Sequence, residues 1–325
     1  MTTLTLQSRP AAHPNVRALN ILRDLPEVAD LIELCFSHTM DGEGKRYVQD
    51  MRRAGHDSGF LRWAARLGDS TSLPLSGYLW EENDRIVGNA SLVPFRHERQ
   101  RIYLIANVAV HPDYRRRGIA RALANRALEH IRQRKAAASW LHVRADNPGA
   151  IRMYSDLGFE ERARRTTWSA PSDPELVDEQ GRFVVTARQP RFWPLQLEWL
   201  HRSYPDELAW HRPWNFSVLR PGFLNWISCL MLDINVRQWA AIEYQMLQAV
   251  LAWMPGGRDE SLYAAVRPGA DPMVLSVLLK RARRELHLRS HLTIELPGGD
   301  YDPALEQAGF KPQRTLIWMR LKYAT

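Results

Sequence analysis

A chain of 325 residues with 45% hydrophobic and 25% charged residues has the balance of a globular protein and more length than one ordinary domain. A disordered or fibrous class is excluded, and two domains are expected. The formal charge of +8 is uneven: residues 1–170 hold 26 Lys+Arg against 19 Asp+Glu, and residues 171–325 hold 18 against 17, so +7 lies in the first part and +1 in the second. An excess confined to one half points to an anionic partner there, for which a phosphate-bearing cofactor suffices. Nucleic acid is the competing reading, but the arginines are not interleaved with the aromatics of a base-stacking platform. The longest apolar stretch, residues 223–234, is broken by Asn225, Ser228 and Asp233 and falls short of the roughly 20 residues that cross a bilayer. Residues 1–17 are polar and lack an apolar signal core. The two cysteines, Cys35 and Cys229, are far apart and in no metal-like spacing. No metal site and a reduced, cytoplasmic setting are therefore expected.

In chain order, residues 16–23 read as a strand, after which Pro26 opens a helix to residue 36, since proline's missing N–H is harmless at a helix start. Residues 44–54 and, less regularly, 60–67 have helical patterns. Residues 76–81 and 85–96 read as two strands joined by a turn at Glu82-Asn83-Asp84. A third strand, 101–110, is dense in β-branched and apolar residues and stops at His111-Pro112. Then come Asp113-Tyr114-Arg115-Arg116-Arg117-Gly118-Ile119-Ala120 and a helix whose apolar stripe, Ala120, Leu123, Ala124, Ala127, Leu128 and Ile131, keeps the helical period. A strand at 139–145, a short helix at 148–157 ending at Gly158, and a strand at 162–169 complete an α/β arrangement of helices around a mixed sheet.

Residues 171–182 are polar with prolines at 171 and 174, a linker composition. Beyond them the order of elements repeats: strands at 238–242, 246–254 and 261–266, a helix at 273–286, a strand at 292–296, a helix at 303–308 and a strand at 314–321. Landmarks repeat too, Val110-His111-Pro112 against Val266-Arg267-Pro268 and Leu157-Gly158-Phe159 against Ala308-Gly309-Phe310. The sequence predicts two copies of one fold, a first domain at 1–170, the linker, and a second domain at 183–325.

The chemistry concentrates where a strand and a proline lead through Arg115-x-x-Gly118-x-Ala120 into a helix. A helix N-terminus presents unpaired N–H groups and a positive dipole end, which suit phosphate. Gly118 permits close backbone approach, Ala120 adds little bulk, and three arginines bring counter-charge. The same residues also fit a basic turn that is merely solvated.

At this point the chain resembles the GNAT superfamily of acyl-CoA N-acyltransferases. Its Gln/Arg-x-x-Gly-x-Gly/Ala signature after the fourth strand matches Arg115, Gly118 and Ala120. Its downstream pattern Asn-x-x-Ala-x-x-x-Tyr-x-x-x-Gly-Phe matches Asn147, Ala150, Tyr154, Gly158 and Phe159. The resemblance implies a GNAT fold in two tandem copies, with acetyl-CoA as co-substrate and an amine as acceptor. It also implies that the backbone of Val108, Ala109 and Val110 pairs with the pantetheine arm. The turn Arg115, Arg116, Arg117, Gly118, Ile119, Ala120 and Arg121 would hold the pyrophosphate, with the N–H groups from Arg116 to Arg121 as donors. Asn147 would hydrogen-bond the arm from the other side, and Tyr154 would protonate the leaving thiolate. Tyr154 is equally readable as a core aromatic and Asn147 as a helix cap.

Relatives often place Glu on the fourth strand shortly before the position of Val108, where this chain has Ala106 and Asn107, so the general base is unassigned. Glu81, Glu98, His97 and His111 are candidates, His111 also reading as a structural residue at the strand end. The missing Glu keeps open a non-catalytic acyl-CoA-binding module. In the second copy the counterparts of Asn147 and Tyr154 are Gly298 and Leu305, and Asp271-Pro272 stands in the turn, poor in charge and donors for phosphate. Eight of the twelve tryptophans lie in the second half, as core or as an acceptor-pocket lining.

Overall fold

The computed structural model describes residues 13–40, 42–56, 76–176, 181–211, 214–223, 227, 230–232, 234–255, 260–289 and 291–323. The expected helical stretch at 60–67 lies outside them, as do Cys229 and Trp226. The fold is mixed α/β and divides into two compact units. Unit 1 comprises Met1–Val143, Pro148–Glu160 and Met319–Thr325, and unit 2 comprises Arg144–Asn147 and Glu161–Trp318. The polar segment 171–182 thus falls inside unit 2.

Unit 1 begins with β1 (Val16–Ala18) and α1 (Ile21–Phe36). The strand is shorter than expected and the helix starts earlier, with Pro26 inside it. The reason is Asn20, whose side chain accepts the Leu22 N–H and caps the helix ahead of the proline. After α2 (Gly42–His56) the strands β2 (Ser76–Glu82), β3 (Arg85–His97) and β4 (Gln100–Val110) form an antiparallel meander. The β2–β3 turn uses Asn83 and Asp84 at φ 52° and 59°, the geometry of a two-residue hairpin whose twist matches the strands. Helix α3 (Ile119–Gln133) then returns the chain to β5 (Ala138–Arg144), parallel to β4, and α4 (Pro148–Asp156) follows.

Helix α3 packs on one face of this sheet. A Cβ on Gly88 would stand 2.9 Å from Ile119 and 3.0 Å from Leu123, and the Tyr78 hydroxyl lies 2.9 Å from His130 Nδ1. Helices α1 and α2 cover the other face through Leu25, Val28, Ile32, Val48 and Met51, packed with Leu79, Ile86 and Ala109.

Unit 2 carries β6 (Glu160–Pro171, from Glu161), β7 (Val184–Ala187), α5 (Trp193–Ser203), β8 (Arg237–Glu243), β9 (Met246–Pro255), β10 (Glu260–Val266), α6 (Val274–Glu285), β11 (His291–Pro297), α7 (Asp302–Gln307) and most of β12 (Lys311–Lys322). Its strand order includes β6-β11-β10-β9-β8-β7, with only β10 and β11 parallel. Neither β7 nor α5 is among the sequence expectations. The tryptophans enter the core here: Trp199, Trp239 and Trp253 are buried, and Trp193 and Trp214 pack against the same cluster.

Candidate functional site

In unit 1, β4 and β5 pair from Ile102↔Ala138 to Ile105↔Leu141 and no further, although β4 runs on to Val110 and β5 to Arg144. They part at a β-bulge. Opposite β3, the register passes from Ser91↔Ala106 to Asn89↔Ala109, which leaves one extra residue on β4. Asn107, in the bulge, holds φ 51°, a left-handed conformation that asparagine tolerates better than most residues. The buried Asn89 side chain donates to the Asn107 carbonyl at 2.7 Å and to Ser91 Oγ at 3.1 Å. Asn107 Nδ2 in turn donates to the Tyr47 hydroxyl of α2 at 2.8 Å. Burial pushes that phenol up to about 12 against the opposing effect of the Asn107 bond. The bulge is thereby clamped to both β3 and α2.

Past the bulge, Val108, Ala109 and Val110 form the β4 edge on the open side. His111 N–H donates to Val87 on β3 at 2.9 Å, so by alternation the N–H groups of Val110 and Val108 face away from β3. The Val110 carbonyl accepts from Arg115 Nε and from Cys35 Sγ, each at 3.2 Å, and burial pushes the Cys35 thiol up.

The edge leads through a 3-10 turn, Pro112–Tyr114, to Arg115 and α3. Gly118 is the N-cap of α3, with φ 80° and no side-chain cap, and nothing lies within 4 Å of where its Cβ would be. The first-turn N–H groups of α3 are therefore open to an anion. Arg115, Arg116 and Arg117 are exposed. Arg117 packs over the Tyr114 ring at 5.0 Å and stands 3.7 Å from Glu82. Arg121 is held by Asp156 at 2.6 Å, which ties α4, the helix of Tyr154, to the turn. Tyr154 is buried edge-on to Phe159, ring centroids 5.9 Å apart, and burial raises its phenol well above the ordinary value. A phenol so raised keeps its proton at neutral pH. Asn147 is exposed, belongs to unit 2, and its N–H donates to the Arg144 carbonyl at 3.0 Å.

The base candidates fare poorly. Glu81 takes Arg17 Nε at 2.5 Å and lies 3.9 Å from Arg23. His97 and Glu98 sit at the β3–β4 turn, with His97 opposite Gln100, about 25 Å along β4 from the bulge at ~3.4 Å per residue. His111 Nδ1 accepts the Asp113 N–H at 3.4 Å and caps the 3-10 turn, the structural use already open to it.

The pairing register brings forward a residue absent from that set. His142 follows Leu141, the last residue of β5 paired with β4, as Ala106, where the bulge begins, follows Ile105. Tyr103 pairs with Ser139 and turns its ring to His130 of α3, so odd positions of β5 face α3. His142 therefore projects from the other face, the side of α1, α2 and Ala109, and it is half-buried. A lone histidine inside a strand has no spacing signal, and only the pairing register reveals it.

Among the described residues no cluster of His, Cys, Asp and Glu is suited to a metal ion, and no helix is long and apolar enough to cross a membrane. Splayed parallel strands, a bulge, and an uncapped helix N-terminus next to a glycine turn come together in this domain. Residues 30–159 match the profile of the acetyltransferase (GNAT) family. The chain is 42% identical over 67 residues to the ribosomal protein bS18-alanine N-acetyltransferase of Escherichia coli, covering 21% of this chain and 45% of that one. It is 39% identical over 71 residues to an uncharacterized N-acetyltransferase of Methanocaldococcus jannaschii, covering 22% and 31%. The chain thus spans less than half the length of these curated relatives. A solved structure, a GCN5-related N-acetyltransferase from Sphaerobacter thermophilus, shares the fold at a TM-score of 0.55 and 15% identity, over 95% of this chain and 96% of its own.

Proposed function

We propose that unit 1 is an acetyl-CoA-dependent N-acetyltransferase that moves an acetyl or short acyl group to a primary amine by direct attack in a ternary complex. The parting of β4 and β5 at the clamped bulge, opening toward an uncapped α3 N-terminus, carries this reading. The residues present fit the co-substrate. Val108, Ala109 and Val110 offer the pantetheine arm a strand edge that β5 does not pair. The N–H groups from Arg116 to Arg121, with Arg115 and Arg117 alongside, suit the pyrophosphate. Bound acyl-CoA would supply an activated thioester carbonyl. His142, beside the bulge, takes the proton that the amine must shed, and Tyr154 delivers its own to the departing thiolate.

In this reading the chain is a tandem of a working copy at 1–170 and a degenerate copy at 183–325, joined by 171–182, in a cytoplasmic setting. Support for the tandem comes from β8–β9–β10–α6–β11–α7–β12, which repeats the order β2–β3–β4–α3–β5–α4–β6. The second reading, an acyl-CoA-binding module without turnover, draws on Ala106 and Asn107 standing where the family resemblance often places Glu.

Thiol release from acetyl-CoA, measured with a panel of amines, separates the two. The panel includes a peptide with an N-terminal alanine, because the Escherichia coli relative is named for that acceptor. Turnover with one amine class is expected, and binding without any release would leave the module. His142→Ala should lower kcat/KM about 10²- to 10⁴-fold at neutral pH. The deficit should shrink at higher pH, because an α-amine with pKa about 7.7–8.0 then sheds its own proton. An unchanged rate would remove His142 from the reaction.

A further inference from the structure

The two units can be placed in register from their own hydrogen bonds. In Val110-His111-Pro112 the middle N–H donates to Val87 on the neighbouring strand at 2.9 Å. In Val266-Arg267-Pro268 it donates to Gln248 at 2.8 Å. Counting back from these rungs, Val108 corresponds to Ala264. The central strands part in both units as well: β4 and β5 pair last at Ile105↔Leu141, and β10 and β11 at Leu262↔Ile294. The one-residue difference in reach is the bulge, since β10 pairs with β9 without a register shift. Unit 2 therefore keeps a strand cleft of the same kind, and its inner N–H groups require partners as any buried backbone donor does.

The chain supplies them itself. Tyr204, the residue that ends α5, is 2% exposed, and its hydroxyl accepts the Ala264 N–H at 3.3 Å. Its ring is fixed by Trp214, Phe216 and Tyr263 at centroid distances of 5.3, 5.7 and 5.5 Å. The Arg165 guanidinium lies over it at 5.2 Å. Arg165 is 3% exposed and bonds Glu295 Oε1 at 2.5 Å, just beyond the last β10–β11 rung. The other anchor point is taken too. In the turn before α6 the Asp271 carboxylate accepts the N–H of the N-cap residue Met273 at 2.8 Å and pairs with Arg182, and the first-turn N–H groups of Val274, Leu275 and Ser276, whose counterparts behind Gly118 are open, donate to the carbonyls of Asp271, Pro272 and Met273, each at 3.0 Å.

We propose that the cofactor cleft of unit 2 is permanently occupied by the chain's own side chains. The Tyr204 phenol stands where the pantetheine arm would pair with the strand, and the Asp271 carboxylate stands where pyrophosphate would meet the helix. Unit 2 is then a closed copy that takes no acyl-CoA, and its cleft is a fixed part of its core. This rests on the reading that acyl-CoA lies along Val108 in unit 1.

Amide hydrogen exchange on the full chain, with and without coenzyme A, tests it. Coenzyme A should slow exchange at residues 106–110 and leave Ala264 unchanged. Tyr204→Phe keeps the ring and removes the acceptor, so exchange at Ala264 should quicken about 3- to 10-fold, in line with the loss of one ordinary hydrogen bond. Asp271→Ala should do the same at Met273 without disturbing the cleft. Slowing of Ala264 by coenzyme A would overturn the proposal, as would a Tyr204→Phe chain whose Ala264 exchanges at the native rate. If coenzyme A slows neither region, the reading of unit 1 fails, and the two variants still decide whether the unit 2 cleft is self-occupied.

Discussion

Gly118 stands at φ 80° with no atom near its absent Cβ, so a side chain there costs backbone strain of about 1–2 kcal/mol and no steric clash. Gly118→Glu should therefore leave the fold in place while setting a carboxylate where the pyrophosphate is proposed to bind. Like charges about 4 Å apart repel by about 4 kcal/mol at an effective dielectric near 20, so CoA affinity should fall about 10³-fold by calorimetric titration. Unchanged affinity would move the cofactor away from this loop. Tyr154→Phe makes a different demand. It keeps the ring packed on Phe159 and removes only the hydroxyl that would give the proton, so kcat should drop about 10²- to 10⁴-fold with CoA affinity nearly untouched. Full turnover would return Tyr154 to the core, a role its burial also fits. The turn was legible in the sequence because glycine, arginine and helix onset fall at fixed spacing. Position His142 was not, because its neighbours in space are thirty-odd residues away along β4 and nothing local marks them.

At the scale of elements, alternation and the 3.6-residue stripe located most strands and helices, and the exceptions have physical causes. Asn20 caps α1 before Pro26 is reached, so the proline rides inside a helix already begun. No element was expected between residues 183 and 237, where α5 forms with Pro194 in its first turn, a position at which the missing N–H costs nothing. The bulge in β4 left no trace in the pattern of residues 100–110, because one extra residue in an apolar run leaves the run apolar. Its support is the Asn89 amide, which is 0% exposed and bonded to the Asn107 carbonyl. Asn89→Ala should cost about 1–3 kcal/mol, the penalty for leaving that carbonyl unpaired. CoA binding should weaken as well, because the strand edge at Val108–Val110 would lose its set. Chemical denaturation and calorimetry check the two parts, and a loss of stability with intact affinity would make Asn89 a fold residue only.

At the scale of the molecule, the landmarks in the sequence suggest a repeated order of elements, and the chain divides into two compact units. A cut in the polar segment 171–182 looks natural in sequence, yet Met319–Thr325 belongs to unit 1. There the Tyr323 hydroxyl lies 2.5 Å from Ser139 Oγ and its N–H donates to the Ala137 carbonyl at 3.1 Å. Arg132 lies over its ring at 5.6 Å, and Arg320 lies over Trp140 at 5.4 Å. Ser139 and Trp140 are both buried on β5, the strand that parts from β4 to make the cleft. Removing residues 319–325 deletes none of the candidate site residues, but it takes the packing from one side of that strand and leaves the buried Ser139 hydroxyl without its partner. The full chain should saturate at one equivalent of acetyl-CoA in calorimetric titration, since in unit 2 the Ala264 N–H is bonded to Tyr204 and the first-turn N–H groups of α6 are bonded to the carbonyls of Asp271, Pro272 and Met273. A chain ending at Trp318 should bind with affinity reduced about tenfold or more, and unit 1 should melt earlier than in the full chain. Two equivalents for the full chain would refute the closed second copy, and native affinity in the shortened chain would show that β5 holds its place without the terminal strand.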